Sequence, residues 1–401
     1  MGVTKPFPRF GVATCPSRAL YGLSYKVDCF RVSKQKDVAL KRHIIGEHQR
    51  TRQLDPVWTR GNTLLSTFMR MLLIGGDGFI GSPLTSELRR LGHQVAVFHR
   101  SADAASTDSE VVRIPGDRNR LSEYLVPLLR FSPDVIIDLI LSSGEQARQL
   151  MGVAHELTPR VVAISSMDVY RAWGVMHQAE PGPPEPLPIT EDSPLRSVRR
   201  LHPPETLKMM QSIFTWIDED YDKIAVEAAI LNDPEIQASI LRLPMVYGPG
   251  DRLHRFFPLL KRITDGRPYV WLPDNLAAWR GPRGYVENIA HAIVLTATSE
   301  RAAGRTYNIC DEPSVSELEW ERKIAQQTNW LGKVVVLPKA RTPEHLLQAG
   351  NAGQHFVASS TRICAELGYR DVVQLDEAIR RTIAWELQNP PSTINLKQFD
   401  Y

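Results

Sequence analysis

The feature that most constrains this chain is the octapeptide Ile74-Gly75-Gly76-Asp77-Gly78-Phe79-Ile80-Gly81. Gly75, Gly78 and Gly81 form a G-x-x-G-x-x-G pattern directly after the apolar run Met71-Leu72-Leu73-Ile74. Glycine is needed where a backbone must turn tightly, approach a pyrophosphate closely and let a helix pack on a strand. The helix that follows aims its first N–H groups at the phosphates. That helix reads as 83–91, with Leu84, Leu88 and Leu91 at helical spacing, and a second strand begins at Gln94. A glycine-rich turn without a ligand is the competing reading, but it does not account for the flanking strand and helix.

The alternation continues. Strands are expected at 71–74, 94–98, 111–114, 135–139, 161–164 and 239–243. Several are continuous β-branched or apolar runs, as in a parallel sheet covered on both faces. The fold class is therefore α/β, a doubly wound parallel Rossmann sheet with a smaller C-terminal substrate domain. Residues 71–248 read as the dinucleotide-binding domain, with 285–312 returning to it. Residues 249–284 and 313–390 read as the substrate-binding domain, and 391–401 as a tail. That second region is more mixed, with apolar spacing over 256–263, a strand near 334–337 and a late helix at 375–388. Eight prolines between 181 and 204 demand an irregular excursion, either a surface loop or a flap over the site.

Charge separates the first seventy residues from the rest. Residues 1–70 carry 13 Lys+Arg against 4 Asp+Glu, whereas residues 71–401 carry 35 against 41. The basic segment has no period and reads as a targeting peptide, a nucleic-acid or anionic-surface arm, or a dispensable extension ahead of a start at Met71. The last is favoured, because Met71 stands where a dinucleotide-binding domain often begins. The mildly acidic remainder argues against a nucleic-acid or membrane role. The longest apolar run, around 135–141, is interrupted by Asp138 and is far too short to span a bilayer. Four cysteines without a CxxC pair suit a reducing, cytoplasmic setting. Eleven histidines show no metal-ligand spacing, so no metal site is expected.

The end of the second strand reads Phe98-His99-Arg100-Ser101, with no acid before Asp103. A carboxylate there would accept a ribose 2′-hydroxyl and select NAD; Arg100 and Ser101 instead suit a 2′-phosphate. NADP is expected over NAD. The bland alternative is a solvated strand-end cation.

Further motifs follow in order. They are Gly116-Asp117-Arg118, Ser165-Ser166-Met167-Asp168-Val169-Tyr170, Lys223 with Glu227, Arg242-Leu243-Pro244-Met245-Val246-Tyr247-Gly248-Pro249-Gly250, and Tyr285-Val286-Glu287-Asn288-Ile289-Ala290. Together with the glycines and Glu366-Leu367-Gly368-Tyr369 they resemble the extended short-chain dehydrogenases/reductases of the NAD-dependent epimerase/dehydratase family, over nearly all of 71–388. The resemblance implies redox chemistry at a carbinol carbon of a sugar nucleotide or similar small molecule. It implies cofactor contacts from Gly75, Gly78, Phe79, Ile80, Gly81, Arg100, Ser101, Asp117, Arg118, Leu139, Lys223 and Pro244. It makes Ser166 the serine that hydrogen-bonds the reacting oxygen and Lys223 the catalytic lysine. A homo-oligomer is left open.

The family base is the tyrosine of Y-x-x-x-K, but Glu219 stands four residues before Lys223, and the nearest tyrosine, Tyr221, stands two before it. On one helix that offset turns the side chains about 200° apart. Tyr221 can serve only from ahead of the helix, and Glu219 is the second candidate base. The same departure supports an alternative, a non-catalytic dinucleotide-binding protein, either a sensor or an RNA binder like the chloroplast stem-loop-binding proteins. Arg252, His254 and Arg255 are weaker candidates for substrate contacts, since solvated loop groups are commonly of this kind.

Overall fold

The computed structural model describes residues 68–100, 109–200, 202–347 and 350–399. The basic extension up to residue 67, and Ser101, lie outside the described residues.

Strands follow one another as β1 (Arg70–Ile74), β2 (Gln94–His99), β3 (Val112–Pro115), β4 (Val135–Asp138), β5 (Arg160–Ser166), β6 (Gln237–Leu243), β7 (Met245–Tyr247), β8 (Tyr269–Pro273), β9 (Arg283–Tyr285), β10 (Thr306–Asn308) and β11 (Lys333–Leu337). Seven form one parallel sheet in the order β3-β2-β1-β4-β5-β6-β10. The order reverses at β1, which lies between β2 and β4, with Leu72 opposite both Ala96 and Ile136. Met71 to Ile74 are all buried, so both faces of β1 are covered, which an unbroken apolar run suits. A crevice opens beyond the carboxyl ends of the strands where such an order reverses. Two small ladders, β7 with β9 and β8 with β11, stand outside the main sheet. The helix Glu317–Gln326 packs on β11 and against the helix Leu375–Gln388, which in turn packs on Phe257–Thr264. Among the described residues, no helix is long and apolar enough to cross a membrane.

Among the described residues from 178 to 203, the proline-rich excursion forms no α-helix and only single bridges. It is not merely a surface loop. Ile189, Glu191 and Arg196 point inward and are buried.

One buried network fixes the elements that carry the motifs. Glu227, on the helix Lys223–Leu231, is 3% exposed, and Arg242 of β6 is 5% exposed. Arg242 donates to both Glu227 carboxylate oxygens, at 3.0 and 2.7 Å. Ser165 of β5 donates its hydroxyl proton to the same carboxylate at 2.6 Å. Arg242 also donates to the Tyr170 hydroxyl at 2.9 Å and to the Glu191 carbonyl at 3.0 Å. Tyr170 in turn donates to Asn308 of β10 at 2.7 Å. Burial pushes the Tyr170 hydroxyl up to about 12. Every charge here has an opposite partner and directed hydrogen bonds, the condition under which a buried pair is tolerated.

Removing one partner strands the other in a dry site. Glu227→Gln is expected to lower unfolding stability by about 3–5 kcal/mol, and Glu227→Gln with Arg242→Met to recover most of it. Denaturant midpoints of the two variants measure this; a loss under about 1 kcal/mol in the single variant would show that the pair does not hold these elements.

Candidate active site

The glycine loop after β1 has the geometry that its sequence demands. Gly75 has φ +87°, and a Cβ there would lie 2.6 Å from the Ile140 side chain. A Cβ on Gly81 would lie 2.5 Å from the backbone of Gly75 and Gly76. Gly81 therefore lets the helix Gly81–Arg90 start against the loop. The loop floors a cleft of about 430 Å³. Phe79 and Ile80 continue the floor, Arg100, Asp117 and Arg118 line one end, and Leu139 lines the wall above β4. The segment 214–216 forms part of the opposite wall, and Arg252 also reaches the cleft.

The charges around this cleft are mostly spoken for. Asp77, in the glycine loop, pairs with Arg113. Arg100 crosses to donate to Thr215 at 2.7 Å. Arg118 pairs with the buried Asp138 at 2.9 Å and donates to the Gln146 carbonyl at 2.9 Å. Burial raises the Asp138 carboxyl, and the Arg118 charge opposes that rise. Unused capacity remains: Arg118 Nε and Nη1, and both ring nitrogens of His99, are buried without a hydrogen-bond partner among the described residues.

At the end of β5 stands a second cluster. Ser166 ends the strand, and its Oγ accepts the Asp168 N–H at 3.1 Å. Asp222 caps the next helix by accepting from Ile224 N at 3.0 Å and Ala225 N at 3.2 Å, so the helix begins at Lys223. Tyr221 thus precedes the helix, and the 200° argument does not bind it. Its hydroxyl donates to Asp168 Oδ2 at 2.7 Å, with the Ser166 side chain beside it. Burial, then the charge and hydrogen bond of Asp168, hold the phenol well above its ordinary range, and Arg196 and Ser166 oppose this. Arg196 donates to the Asp168 carbonyl at 2.8 Å and places Nη2 4.0 Å from Oδ1. That Oδ1 is buried without a hydrogen-bond partner among the described residues. The His202 ring lies 5.5 Å from the Tyr221 ring, and burial lowers the His202 imidazole.

Lys223 is placed differently from the expectation. It is buried at 4% exposure and donates to the carbonyls of Leu141 and, at 3.0 Å, Ile164. Its ammonium lies 5.8 Å from the centroid of the Trp216 ring, which forms part of the cleft wall. Burial lowers it to about 8, against the opposing pull of Asp168, Asp138 and Glu227. Pro244 separates β6 from β7 at the point where the chain leaves the main sheet. Neither residue lines the cleft.

Glu219 is exposed, and no hydrogen bond or ion pair among the described residues ties it to Ser166. The structure does not bring Glu219 into the Ser166–Tyr221–Asp168 cluster. His254 is engaged with the C-terminal helix: Nδ1 meets Glu386 at 2.6 Å and the ring stacks on Trp385. Sequence reasoning passed over Asp168, Arg196 and His202. A tyrosine displaced from its usual spacing needs another polar partner, and Asp168 two residues after Ser166 was the available signal.

The family model described as "NAD dependent epimerase/dehydratase family" matches residues 71–310. The chain belongs to that family. An uncharacterized protein of Escherichia coli (strain K12), YbjS, is 27% identical over 174 residues, covering 38% of this chain and 51% of the relative. The chain thus spans about half the length of that curated relative. Among solved structures, the Bordetella bronchiseptica enzyme WbmG in complex with NAD is similar at TM-score 0.60 and 16% identity, over 82% of this chain and 96% of that one. A dTDP-glucose 4,6-dehydratase from Bacillus anthracis in complex with NAD is similar at 0.59 and 13%, over 80% and 97%. The UDP-glucose 4-epimerase of Thermotoga maritima with UDP-glucose is similar at 0.57 and 16%, over 80% and 99%. At these identities the likeness is one of fold.

The Lys223 amine titrates near 8 in the folded protein against 10.5 as its ordinary value. Between those limits the unfolded chain binds more protons, so this lysine makes stability rise with pH; below about 8 both states are charged and the full burial cost stands. Relative to Lys223→Met, the unmodified protein is expected to gain about 2 kcal/mol from pH 7.5 to 9.5, read from denaturant midpoints. A difference that stays constant with pH would contradict this assignment.

Proposed function

We propose that the protein is a nicotinamide-dinucleotide-dependent oxidoreductase acting at a carbinol carbon of a small molecule. The observation that carries this reading is the Ser166–Tyr221–Asp168 cluster at the end of β5, on the same side of the sheet as the glycine-floored cleft. The glycine cradle, and the buried nitrogens of His99 and Arg118 that make no hydrogen bond among the described residues, fit a dinucleotide. When bound, the nicotinamide takes up or delivers the hydride of the carbinol carbon.

The protein's own part is orientation and proton movement. Ser166 hydrogen-bonds the reacting oxygen. Tyr221 accepts the carbinol proton on its hydroxyl oxygen while its own proton passes to Asp168 Oδ2, 2.7 Å away. In the reverse direction the same two protons return. A phenol held above its ordinary range is a poor base by itself, but it relays protons to a carboxylate already hydrogen-bonded to it. Arg196 steadies the Asp168 charge before each transfer. Gly75, Gly78 and Gly81 seat the pyrophosphate, Asp117 and Arg118 the adenosine end, and Arg252 supplies a cation at the cleft. Arg100, which donates to Thr215, would hold a 2′-phosphate, and Arg113 neutralises Asp77, which would otherwise repel it. NADP is accordingly favoured over NAD.

Sugar nucleotides, which solved relatives such as the Thermotoga maritima epimerase bind, are the first substrates to test by NADPH absorbance. Tyr221→Phe and Asp168→Asn are each expected to lower turnover about 100-fold or more while dinucleotide affinity stays nearly unchanged. Arg100→Ala is expected to remove an NADP preference of about 10–150-fold. If no substrate changes the absorbance, or neither substitution affects turnover, the non-catalytic dinucleotide-binding reading replaces this one.

A further inference from the structure

A second cavity, of about 410 Å³, is built from segments that directly follow the site motifs. Trp173 belongs to the helix Arg171–Met176, which begins just after Tyr170, and Met245 and Tyr247 follow Pro244. Six aromatic rings line it: Trp173, Trp279, Trp320, Tyr247, Phe256 and the imidazole of His177, which burial and the nearby His202 lower and Asp168 raises. Tyr247, Phe256 and Trp320 pack on one another with centroids 5.1–5.7 Å apart. They form a firm wall rather than a loose fringe.

The cavity also carries two arginines, and each already has its own carboxylate. Arg283 pairs with Glu317 and lies 4.5 Å over the Trp320 ring. Arg255 donates to both oxygens of the buried Asp251, at 2.7 and 2.8 Å. The lining is therefore nearly neutral. A diphosphate seated here would compete with Glu317 and Asp251 for the two guanidiniums. An aromatic ring faces no such competition, because it stacks on the existing rings.

We infer that the substrate is a neutral molecule bearing an aromatic ring, an aryl carbonyl or aryl carbinol, rather than a nucleoside diphosphate sugar. The ring occupies the tryptophan-lined cavity and the oxygen-bearing carbon turns toward Ser166 and Tyr221. The inference rests on the oxidoreductase reading for its chemistry, but it concerns binding, which is measured without turnover.

The test is calorimetric titration of the full chain, preloaded with NADP, using acetophenone, 2-acetonaphthone, UDP and UDP-glucose. The aryl ketones are expected to bind at least about 100-fold more tightly than UDP or UDP-glucose. Trp279→Ala is expected to weaken the ketones by about tenfold without changing NADP affinity; Trp279→Met serves if the alanine variant does not fold. Glu317→Gln frees Arg283 and is expected to raise UDP affinity by about tenfold or more. Tighter binding of UDP-glucose than of the ketones, lost in Arg283→Ala, would overturn the inference, and so would failure of every ketone to bind. Ketone binding without any change in NADPH absorbance would sink the oxidoreductase reading and leave the binding inference standing.

Discussion

The arrangement of the site depends on the buried Arg242–Glu227 pair. Each ion alone would be costly in a dry interior, but together, with Ser165, Tyr170 and the Glu191 carbonyl, four guanidinium N–H donors and both carboxylate oxygens are engaged. The pair presses the helix Lys223–Leu231 onto β5 and β6. That contact sets where the helix begins, since Asp222 caps it against the Ser142 carbonyl, to which its own N–H donates at 2.8 Å. The motif residues Ser165, Glu227 and Arg242 are therefore one physical unit, though 77 positions separate the first from the last.

Much of the sheet was legible because its cause is local. β1, β2, β4 and β5 are mainly apolar runs and β6 a mixed one, and their observed limits fall within two residues of those read from the sequence. The parallel order follows from the alternation of strand and helix. β8 was not legible: Tyr269–Pro273 is short, ends in proline and pairs with β11, more than sixty residues later. Nothing local announces a ladder of that kind. The inward turn of Arg196 and Glu191 from a proline-rich stretch is also set by distant partners, Asp168 and Asn308.

The cleft was legible from backbone requirements and less so from side chains. Glycine identity reports φ and close approach directly, so Gly75 and Gly81 could be placed from the sequence. An arginine reports only a charge. Arg100 reaches Thr215, Arg118 turns to Asp138, and Arg113, which the sequence did not single out, neutralises Asp77. Which carboxylate an arginine meets is decided by tertiary packing.

The displaced tyrosine shows what a two-residue change in spacing does to the chemistry. A tyrosine on the same helical face as a lysine has its phenol lowered by the neighbouring charge. Here Lys223 is engaged with the Leu141 and Ile164 carbonyls, and the phenol of Tyr221 meets Asp168 instead. An anion raises the phenol rather than lowering it, so the charge that makes proton transfer favourable must come from elsewhere. In the relay proposed above, Asp168 provides it by being the proton's destination, and Arg196 reaches the carboxylate from the proline-rich excursion. The excursion thus places a cation beside Asp168, while Lys223 is held by the Leu141 and Ile164 carbonyls.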